Sequence, residues 1–290
     1  MFSGSIPALV TPFTAGALDE AAFRDLVEWQ IGEGSHALVA CGTTGESATL
    51  SPAEHRRVIE LTLEVADGRV PVIAGCGAND TEHAVALTRT AQELGAAAAL
   101  HVPPYYNRPN QDGIYLHLSR VAEVGIPVVL YNVPARTVTD IAVETMGRLA
   151  KLPLVVAVKD ATGDIARVSS QRAACGPDFV QLSGNDDLAL AFNATGGRGC
   201  ISVTANVAPR LCAELQEATL CGDYPRALEL QDRLFPLHVA MFTDASPGPV
   251  KYALGRVRPG FPQDLRAPMT PAGDSSRRAV DAALERAGLV

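Results

Sequence analysis

Lys159 is the residue whose type and surroundings point most directly to chemistry. It follows the run LVVAV in the stretch LVVAVKDATG, residues 154 to 163, whose apolar and β-branched residues predict a buried strand. The chain has three lysines, Lys151, Lys159 and Lys251, and its other cationic side chains are arginines. Arginine keeps its proton at accessible pH, whereas a desolvated lysine amine can become neutral and nucleophilic. Lys159 is therefore our first candidate for a covalent step, against the simpler interpretation of a polar strand end.

Other polar residues follow apolar runs that predict further strands. The segment CGTTGES, residues 41 to 47, has glycines that allow a tight turn. Its backbone N–H groups and the hydroxyls of Thr43 and Thr44 could hold a carboxylate or a phosphate. Tyr131 ends another run, and Arg136 lies in the loop that follows it. An anion site, a phenol, a guanidinium and an amine thus follow different predicted strands.

Each of these features also has a structural interpretation. CGTTGES could be only a turn before a helix, and it lacks the GK[ST] ending of a nucleotide-binding loop. A buried tyrosine is commonly a core residue with a hydrogen-bonded hydroxyl, and a loop arginine is most often a solvated charge. Tyr105 and Tyr106 could pack against a neighbour, and Asp186 and Asp187 look like an N-cap pair for the next helix. One shared site explains the set more simply than separate structural roles do.

Alternating elements must position these residues. The predicted strands are residues 6–10, 37–41, 70–75, 97–102, 127–132, 154–159, 179–183 and 199–203. The predicted helices between them include residues 20–31, 52–65, 81–94, 140–151 and 164–175, with Ser51 and Asp164 as capping residues. These strand-then-helix units match an α/β fold, the (β/α)8 TIM barrel, in which chemistry lies at the C-terminal ends of the strands. A doubly wound open sheet is disfavoured because no G-x-G-x-x-G follows the first strand.

The alternation stops near Cys221, after which only helical patterns remain. They cover residues 224–241, 249–256 and 275–287 and are separated by joints rich in proline and glycine. We expect residues 1–221 to form the barrel and residues 222–290 to form a C-terminal helical extension. We interpret this extension as an appendage of the barrel and not as an independently folding domain.

Composition excludes several classes of function. A formal net charge of -8 disfavours a nucleic-acid or anionic-membrane surface. No apolar run approaches the roughly 20 residues of a membrane helix, and no secretory signal is visible, so we expect a cytoplasmic protein. The six cysteines and six histidines are scattered, without a C-x-x-C pair or an H-E-x-x-H motif. We therefore expect reduced thiols, no metal site and no cofactor.

Six motifs carry a resemblance to a known family. GTTGES, PYYNRP, YNVPAR, VKDATGD, LSGNDD and GCISVTANV resemble, in order and spacing, the motifs of the dihydrodipicolinate synthase / N-acetylneuraminate lyase superfamily of pyruvate-dependent class I aldolases. The resemblance covers nearly the whole chain, from IPALVTPF to PVKYAL. Within the superfamily, the dihydrodipicolinate synthase pattern fits best, because its second-substrate arginine falls on Arg136. The sugar-acid lyases usually lack that arginine.

The resemblance implies a reaction in which Lys159 forms a Schiff base with pyruvate. The resulting enamine would attack L-aspartate 4-semialdehyde to give 4-hydroxy-tetrahydrodipicolinate, in lysine and diaminopimelate biosynthesis. Tyr131 would relay protons with Thr43 and with Tyr106 from a neighbouring subunit, a role that suits hydroxyl groups because each both donates and accepts. Sharing Tyr106 in this way implies a tight dimer, which is often paired into a homotetramer.

The same resemblance assigns the binding residues. The amides and hydroxyl around Thr43 and Thr44 would hold the pyruvate carboxylate, and Arg136 would bind the carboxylate of the semialdehyde with its two-pronged geometry. Gly184 and the carbonyl of Ile201 would line the keto-acid pocket.

The sequence departs from lysine-inhibited relatives in one pocket. Those relatives usually have a histidine after GTTGESATL and a glutamate after GAN, where this chain has Pro52 and His83. The other pocket residues that the resemblance marks are present: Asn79, His55 and Tyr105. Because a carboxylate that would pair with the ammonium of the inhibitor is missing, we predict weak or absent feedback by lysine.

The identity of the aldehyde stays open at this point. The family often has Thr-Gly after its arginine, whereas this chain has Val138 there, which could reshape the entrance for the second substrate. One alternative is an aldolase for a 2-keto-3-deoxy sugar acid or for N-acetylneuraminate. A second is a non-catalytic paralogue that binds a keto acid, and a third is a pyridoxal phosphate enzyme that uses the same lysine. The third lacks an evident site for the cofactor phosphate beyond GTTGE.

Overall fold

Eight parallel strands close into a barrel in the computed structural model of the chain, which describes residues 2–290. The strands, β1 to β8 in chain order, are Gly4–Pro7, Leu38–Ala40, Val72–Gly75, Ala98–His101, Val128–Asn132, Val155–Asp160, Val180–Ser183 and Gly199–Ser202. β1 pairs with β8, and the Ala8–Val39 bridge closes the remaining seam beside β2. The predicted TIM barrel is therefore confirmed.

Helices follow the strands and cover the outside of the barrel. In chain order they are α1 to α8: Glu20–Gly32, Pro52–Ala66, Thr81–Leu94, Gln111–Ala122, Val143–Leu149, Ala166–Cys175, Ala189–Ala194 and Pro209–Leu220. The cap predicted for α2 is present, since the Ser51 hydroxyl accepts from the Glu54 N–H and the Glu54 carboxylate accepts from the Ser51 N–H. This reciprocal pairing satisfies two donors that a helix start leaves unpaired.

Predicted and observed boundaries differ by up to three residues, and the differences at β1, α5 and α6 have visible causes. β1 begins and ends earlier than predicted. From Leu9 onward the backbone pairs outside β8: the Leu9 N–H donates to the Val39 carbonyl, and the Val10 N–H donates to the Asn206 side chain. α5 begins at Val143 and not at Asp140, whose carboxylate accepts hydrogen bonds from the side chains of Asn132 and Arg167. α6 begins at Ala166, although the predicted cap, Asp164, accepts a hydrogen bond from the Ala166 N–H at 3.0 Å.

The C-terminal helices pack against the barrel and share its apolar core. They are α9, α10 and α11, which span Tyr224–Ala240, Gly248–Val257 and Asp274–Ala287. The fully buried Leu234 of α9 and Leu254 of α10 belong to the same cluster as Leu26 of α1 and Val58 of α2. The predicted helical appendage is thus present, and the boundary between residues 221 and 222 stays a prediction.

A two-stranded hairpin lies between β1 and α1. Phe13–Thr14 pairs antiparallel with Ala17–Leu18, and this places Phe13 in the interior with no exposed surface. Across residues 2–290, no helix is long and apolar enough to cross a membrane.

Candidate active site

Lys159 and Tyr131 lie side by side at the C-terminal ends of β6 and β5. They are register partners in the parallel sheet, and the Nζ atom of Lys159 lies 4.1 Å from the centre of the Tyr131 ring. Side chains alternate along a strand, so Lys159 shares the inward face of β6 with Ala157, a member of the cluster inside the barrel. Lys159 is 6% exposed and Tyr131 is 8% exposed. The fold thus holds an amine and a phenol in contact, away from bulk water.

A small cavity of about 50 Å³ lies beside this pair. Lys159, Tyr131 and Thr43 all line it, together with Val39 and Leu100 from the barrel wall. Polar groups that could transfer protons therefore face an apolar wall within one small cavity. Such a mixture of apolar lining and few convergent polar groups is typical of small-molecule sites.

A larger cavity of about 560 Å³ adjoins the first and contains Arg136 in its lining. Arg136 is exposed and lies on the short helical turn Pro134–Thr137 that follows β5. The two cavities share lining residues, namely Thr43, Ser47, Gly75, Gly77 and Val102. A guanidinium and the buried amine therefore face connected space, with Thr43 at the junction.

The turn after β2 presents Thr43 to both cavities. The Glu46 N–H donates to the Thr43 carbonyl at 3.1 Å, and the Thr11 hydroxyl donates to the Gly45 carbonyl at 2.7 Å. These bonds hold the turn against the end of β1. Thr44 is buried, and within the described chain it lines neither cavity.

Gly184 lies next to the lysine, whereas Ile201 lies two strands away on β8, and neither residue lines a cavity in the described residues. The Gly184 N–H donates to the Asp160 carbonyl at 2.6 Å, which brings its backbone against the end of β6. A Cβ atom at position 184 would lie 3.2 Å from Cε of Lys159 and 2.8 Å from Cβ of Ala161, so glycine leaves room for the lysine side chain. Ile201 is fully buried on β8 inside the barrel.

Tyr106 is not brought to the site within one chain. It is 90% exposed and has a φ of +71°, a conformation that is uncommon for a residue with a side chain. Its neighbour Tyr105 lines the larger cavity, whereas Tyr106 lines neither of the two cavities described above. Its predicted role depends on a neighbouring subunit and stays a prediction.

A polar network behind the lysine was missed by sequence reasoning. Asn132 and Asp160 follow Tyr131 and Lys159 on the same strands, so their side chains point outward. Asp160 accepts a hydrogen bond from Gln171 at 2.6 Å, and Asn132 donates to Asp140 at 2.7 Å. Arg167 joins the two groups, since it donates to Asp140 at 3.1 Å and lies 3.5 Å from Asp160. The polar pairs YN and KD at consecutive strand ends are the signal that could have revealed it.

The prediction that Asp186 is part of an N-cap pair is wrong. Asp186 is buried, and its carboxylate accepts hydrogen bonds from the N–H groups of Val203 and Thr204 at 2.9 and 3.2 Å and from the Ser202 hydroxyl. It therefore fixes the end of β8, while a short 3₁₀ turn over Asp186–Leu188 starts the next segment. Asp187 is exposed, and its carbonyl accepts a hydrogen bond from the side chain of Gln231 at 3.0 Å.

The buried cysteine thiols are poorly suited to act as nucleophiles. All six cysteines are free, and burial raises the pKa of Cys41, Cys200 and Cys212 well above the ordinary range of a thiol. A thiol with a raised pKa has little of the reactive thiolate at neutral pH. Among residues 2–290, no group of three or more histidine, cysteine, aspartate or glutamate side chains is arranged to hold a metal ion.

Comparison with known proteins shows the family of the chain. The model of the dihydrodipicolinate synthetase family matches residues 1–287. A 4-hydroxy-tetrahydrodipicolinate synthase from Rhizorhabdus wittichii is 63% identical over 290 residues, which is the full length of both chains. The solved structure of a chloride-inhibited dihydrodipicolinate synthase from Acinetobacter baumannii in complex with pyruvate is 42% identical, with a TM-score of 0.97 and complete coverage of both chains.

A third similar protein is relevant to oligomeric state. It is a monomeric variant of dihydrodipicolinate synthase, with a TM-score of 0.96 and 39% identity, and the match covers all of this chain and 98% of that one. The full-length family match, the curated relative and the shared barrel agree with one another. The chain belongs to the dihydrodipicolinate synthetase family.

Proposed function

We propose that this enzyme condenses pyruvate with L-aspartate 4-semialdehyde, as a 4-hydroxy-tetrahydrodipicolinate synthase of lysine and diaminopimelate biosynthesis. The observation that carries the proposal is the buried Lys159 amine, 4.1 Å from the Tyr131 ring and facing a cavity that adjoins the one lined by Arg136. Membership of the family and the name of the full-length relative support the same reaction.

The first half of the reaction activates pyruvate. The Lys159 amine adds to the ketone carbon, and the ketone oxygen leaves as water to give an imine. The imine nitrogen withdraws electrons, so the methyl carbon of the bound pyruvate can lose a proton. The imine thereby becomes an enamine. Tyr131 carries these protons, because its hydroxyl both donates and accepts, and Thr43, which lines the same cavity, extends the relay.

The second half joins the two substrates. The enamine carbon attacks the aldehyde carbon of the semialdehyde, and the aldehyde oxygen takes up a proton to become a hydroxyl. The amino group of the semialdehyde then attacks the imine carbon, which closes the ring and releases the amine of Lys159. Arg136 binds the carboxylate of the semialdehyde in the larger cavity, where a planar guanidinium can donate two parallel hydrogen bonds.

The pyruvate carboxylate is held at the turn after β2. The backbone N–H groups and hydroxyls at Thr43 and Thr44 supply donors there, and Gly184 and the carbonyl of Ile201 complete the keto-acid pocket around Lys159. Within residues 2–290, Thr44, Gly184 and Ile201 line neither cavity, so these three roles are supported by membership of the family alone.

We also propose that the enzyme is a tight dimer, paired into a homotetramer, in which Tyr106 enters the site of the neighbouring subunit. The 90% exposure of Tyr106 supports this role, because a large aromatic ring left in solvent is typical of a surface that binds another protein. The positive φ at the same residue fixes the direction in which the ring projects.

A coupled assay tests the proposed reaction. The enzyme is given pyruvate with L-aspartate 4-semialdehyde, and separately a panel of 2-keto-3-deoxy sugar acids and N-acetylneuraminate. We expect turnover only with the semialdehyde, and we expect Arg136→Ala to lower kcat/KM for it by about 100-fold, since a misplaced substrate loses that order of rate. Arg120→Ala, at another exposed arginine, is the matched control. Preferential cleavage of a sugar acid, unaffected by Arg136→Ala, would instead identify a sugar-acid aldolase.

A further inference from the structure

The chain buries a second lysine, Lys251 of α10, more completely than Lys159. Lys251 has no exposed surface, and its Nζ atom lies 2.5 Å from Oε1 of Glu46 and 2.7 Å from the carbonyl of Asp264. The same nitrogen lies 4.5 Å from the centre of the Phe13 ring. Among the described residues that line the two active-site cavities Lys251 is absent, so its amine cannot reach a substrate there.

Glu46 connects this lysine to the turn after β2. Its other carboxylate oxygen accepts from the Arg266 N–H at 3.0 Å, so both oxygens are held by the C-terminal part of the chain. The residue has a φ of +54°, a left-handed conformation that an unbranched, non-glycine residue adopts only when its surroundings hold it. A backbone bond of 3.1 Å from the Glu46 N–H to the Thr43 carbonyl passes this constraint to Thr43.

Stability alone does not explain why the ion pair between Lys251 and Glu46 is buried. A buried pair of charges loses its hydration, and well-packed apolar residues of similar volume are often at least as stabilising. Burial indeed lowers the pKa of Lys251, and Glu46 opposes this effect. What such a pair adds is a fixed geometry, here between residues that are separated by 205 positions.

We propose that Lys251 is a positioning residue for the keto acid, because it fixes Glu46 and thereby the placement of Thr43 and Thr44. This inference rests on the proposed function, in which those two residues hold the pyruvate carboxylate. Loss of the Lys251 ammonium would free the turn, so pyruvate would bind more weakly, whereas the semialdehyde site at Arg136 would be little affected. The C-terminal helices thereby contribute to the active site without touching a substrate.

Lys251→Met tests the proposal, because methionine removes the charge and keeps most of the volume. Lys151→Met, at an exposed lysine, is the matched control. The first measurement on each folded protein is amide hydrogen exchange, without ligand, of a peptide covering residues 41–50. The second is the pyruvate concentration that gives half-maximal borohydride trapping. We expect Lys251→Met to speed exchange in that peptide and to raise the half-maximal pyruvate concentration about tenfold, because small displacements of a binding group have effects of this size or larger. Exchange of a peptide covering residues 154–162, and KM for the semialdehyde, should be nearly unchanged.

Each other result decides against part of this account. Unchanged exchange over residues 41–50, or faster exchange with an unchanged half-maximal pyruvate concentration, overturns the positioning role. If Lys251→Met does not fold, the double variant Glu46→Gln with Lys251→Met takes the place of the single variant in the same measurements. The double variant removes both buried charges. A double variant that also fails to fold, beside a folded Lys151→Met protein, would assign Lys251 to stability alone. Absence of trapping in the unaltered protein overturns the proposed function, while exchange still decides whether Lys251 holds the turn.

Discussion

The Nζ atom of Lys159 lies over the face of the Tyr131 ring, 4.1 Å from its centre, because the two residues are paired on adjacent parallel strands. This contact is set by sheet register, so it does not depend on a flexible loop. The Tyr131 ring packs against the end of the lysine side chain, so the amine is held in this position before a substrate arrives. In the proposed reaction, the same proximity would keep the phenol near the carbon–nitrogen bond of the imine, where protons must move.

Lys159→Arg should abolish activity, since arginine keeps a positive charge but cannot form an imine with a ketone. We expect kcat to fall by at least about a thousandfold, the order of loss when a covalent nucleophile is removed. Incubation with pyruvate and borohydride, followed by mass spectrometry of the peptides, should modify residue 159 in the unaltered protein and no residue in the variant. Lys151→Arg serves as the control with full activity. Modification at another lysine in the unaltered protein would refute the assignment.

Tyr106→Phe should lower kcat without changing the oligomeric state, because it removes only the hydroxyl that takes part in the proposed relay between subunits. We expect a loss of about 100-fold, typical of one acid–base group, with a molecular mass by light scattering equal to that of the unaltered enzyme. Tyr224→Phe, at another partly exposed tyrosine, should behave normally. A monomeric species that keeps full activity at the assay concentration would exclude a role across the interface, and a monomeric variant among similar proteins makes the comparison practical.

Much of the fold follows from local sequence patterns. Short β-branched runs and capping residues such as Ser51 depend on neighbours a few positions away, and those neighbours are visible in the sequence. The period of two along a strand also places Tyr131 and Lys159 on the inward face once the barrel is assumed. That is why the placement of these two side chains at the inner ends of adjacent strands could be predicted.

Long-range contacts account for what could not be predicted. Asp186 has the sequence context of a helix cap, but its carboxylate accepts from backbone groups at residues 203 and 204, and no local pattern marks such a partner. Lys251 meets a glutamate 205 positions away, so its burial has no periodic signal. The shared feature of Asp186 and Lys251 is a partner whose position only the assembled fold defines. The role predicted for Tyr106 would need a second chain and stays a prediction.

Feedback by lysine should be weak. The pocket residues that differ from those of lysine-inhibited relatives, Pro52 and His83, line the larger cavity together with His55. Burial lowers the pKa of His55, so it is neutral there, and the carboxylate in the same lining, Glu46, is already paired with Lys251. No free carboxylate among the described lining residues therefore meets the ammonium of lysine. We expect half-maximal inhibition only above about 1 mM, an affinity typical of weak contacts.

His83→Glu should increase the sensitivity to lysine by about tenfold, since a charge-assisted hydrogen bond contributes that order of affinity. Initial rates at increasing L-lysine concentration measure the effect, with His83→Gln as the uncharged control. Half-maximal inhibition of the unaltered enzyme by submillimolar lysine would show that the missing carboxylate is not what limits binding.

Glu54 should make the free energy of unfolding depend on pH in the acid range. Its hydrogen bonds from Arg266, with further contributions from Ser51, lower the pKa of Glu54 from 4.5 to about 2. A carboxyl whose pKa is lower in the folded state stabilises the fold above the unfolded pKa, and this contribution is lost as pH falls from 4.5 towards 2. Glu54→Gln should therefore lower the free energy of unfolding by about 1 kcal/mol at neutral pH, a modest value because the pair is partly hydrated. Urea unfolding at pH 7 and pH 3 should show this difference shrinking at the lower pH, whereas Glu93→Gln, at an exposed glutamate, should differ little from the unaltered protein at either pH. An equal difference at both pH values would mean that Glu54 acts through its neutral contacts alone.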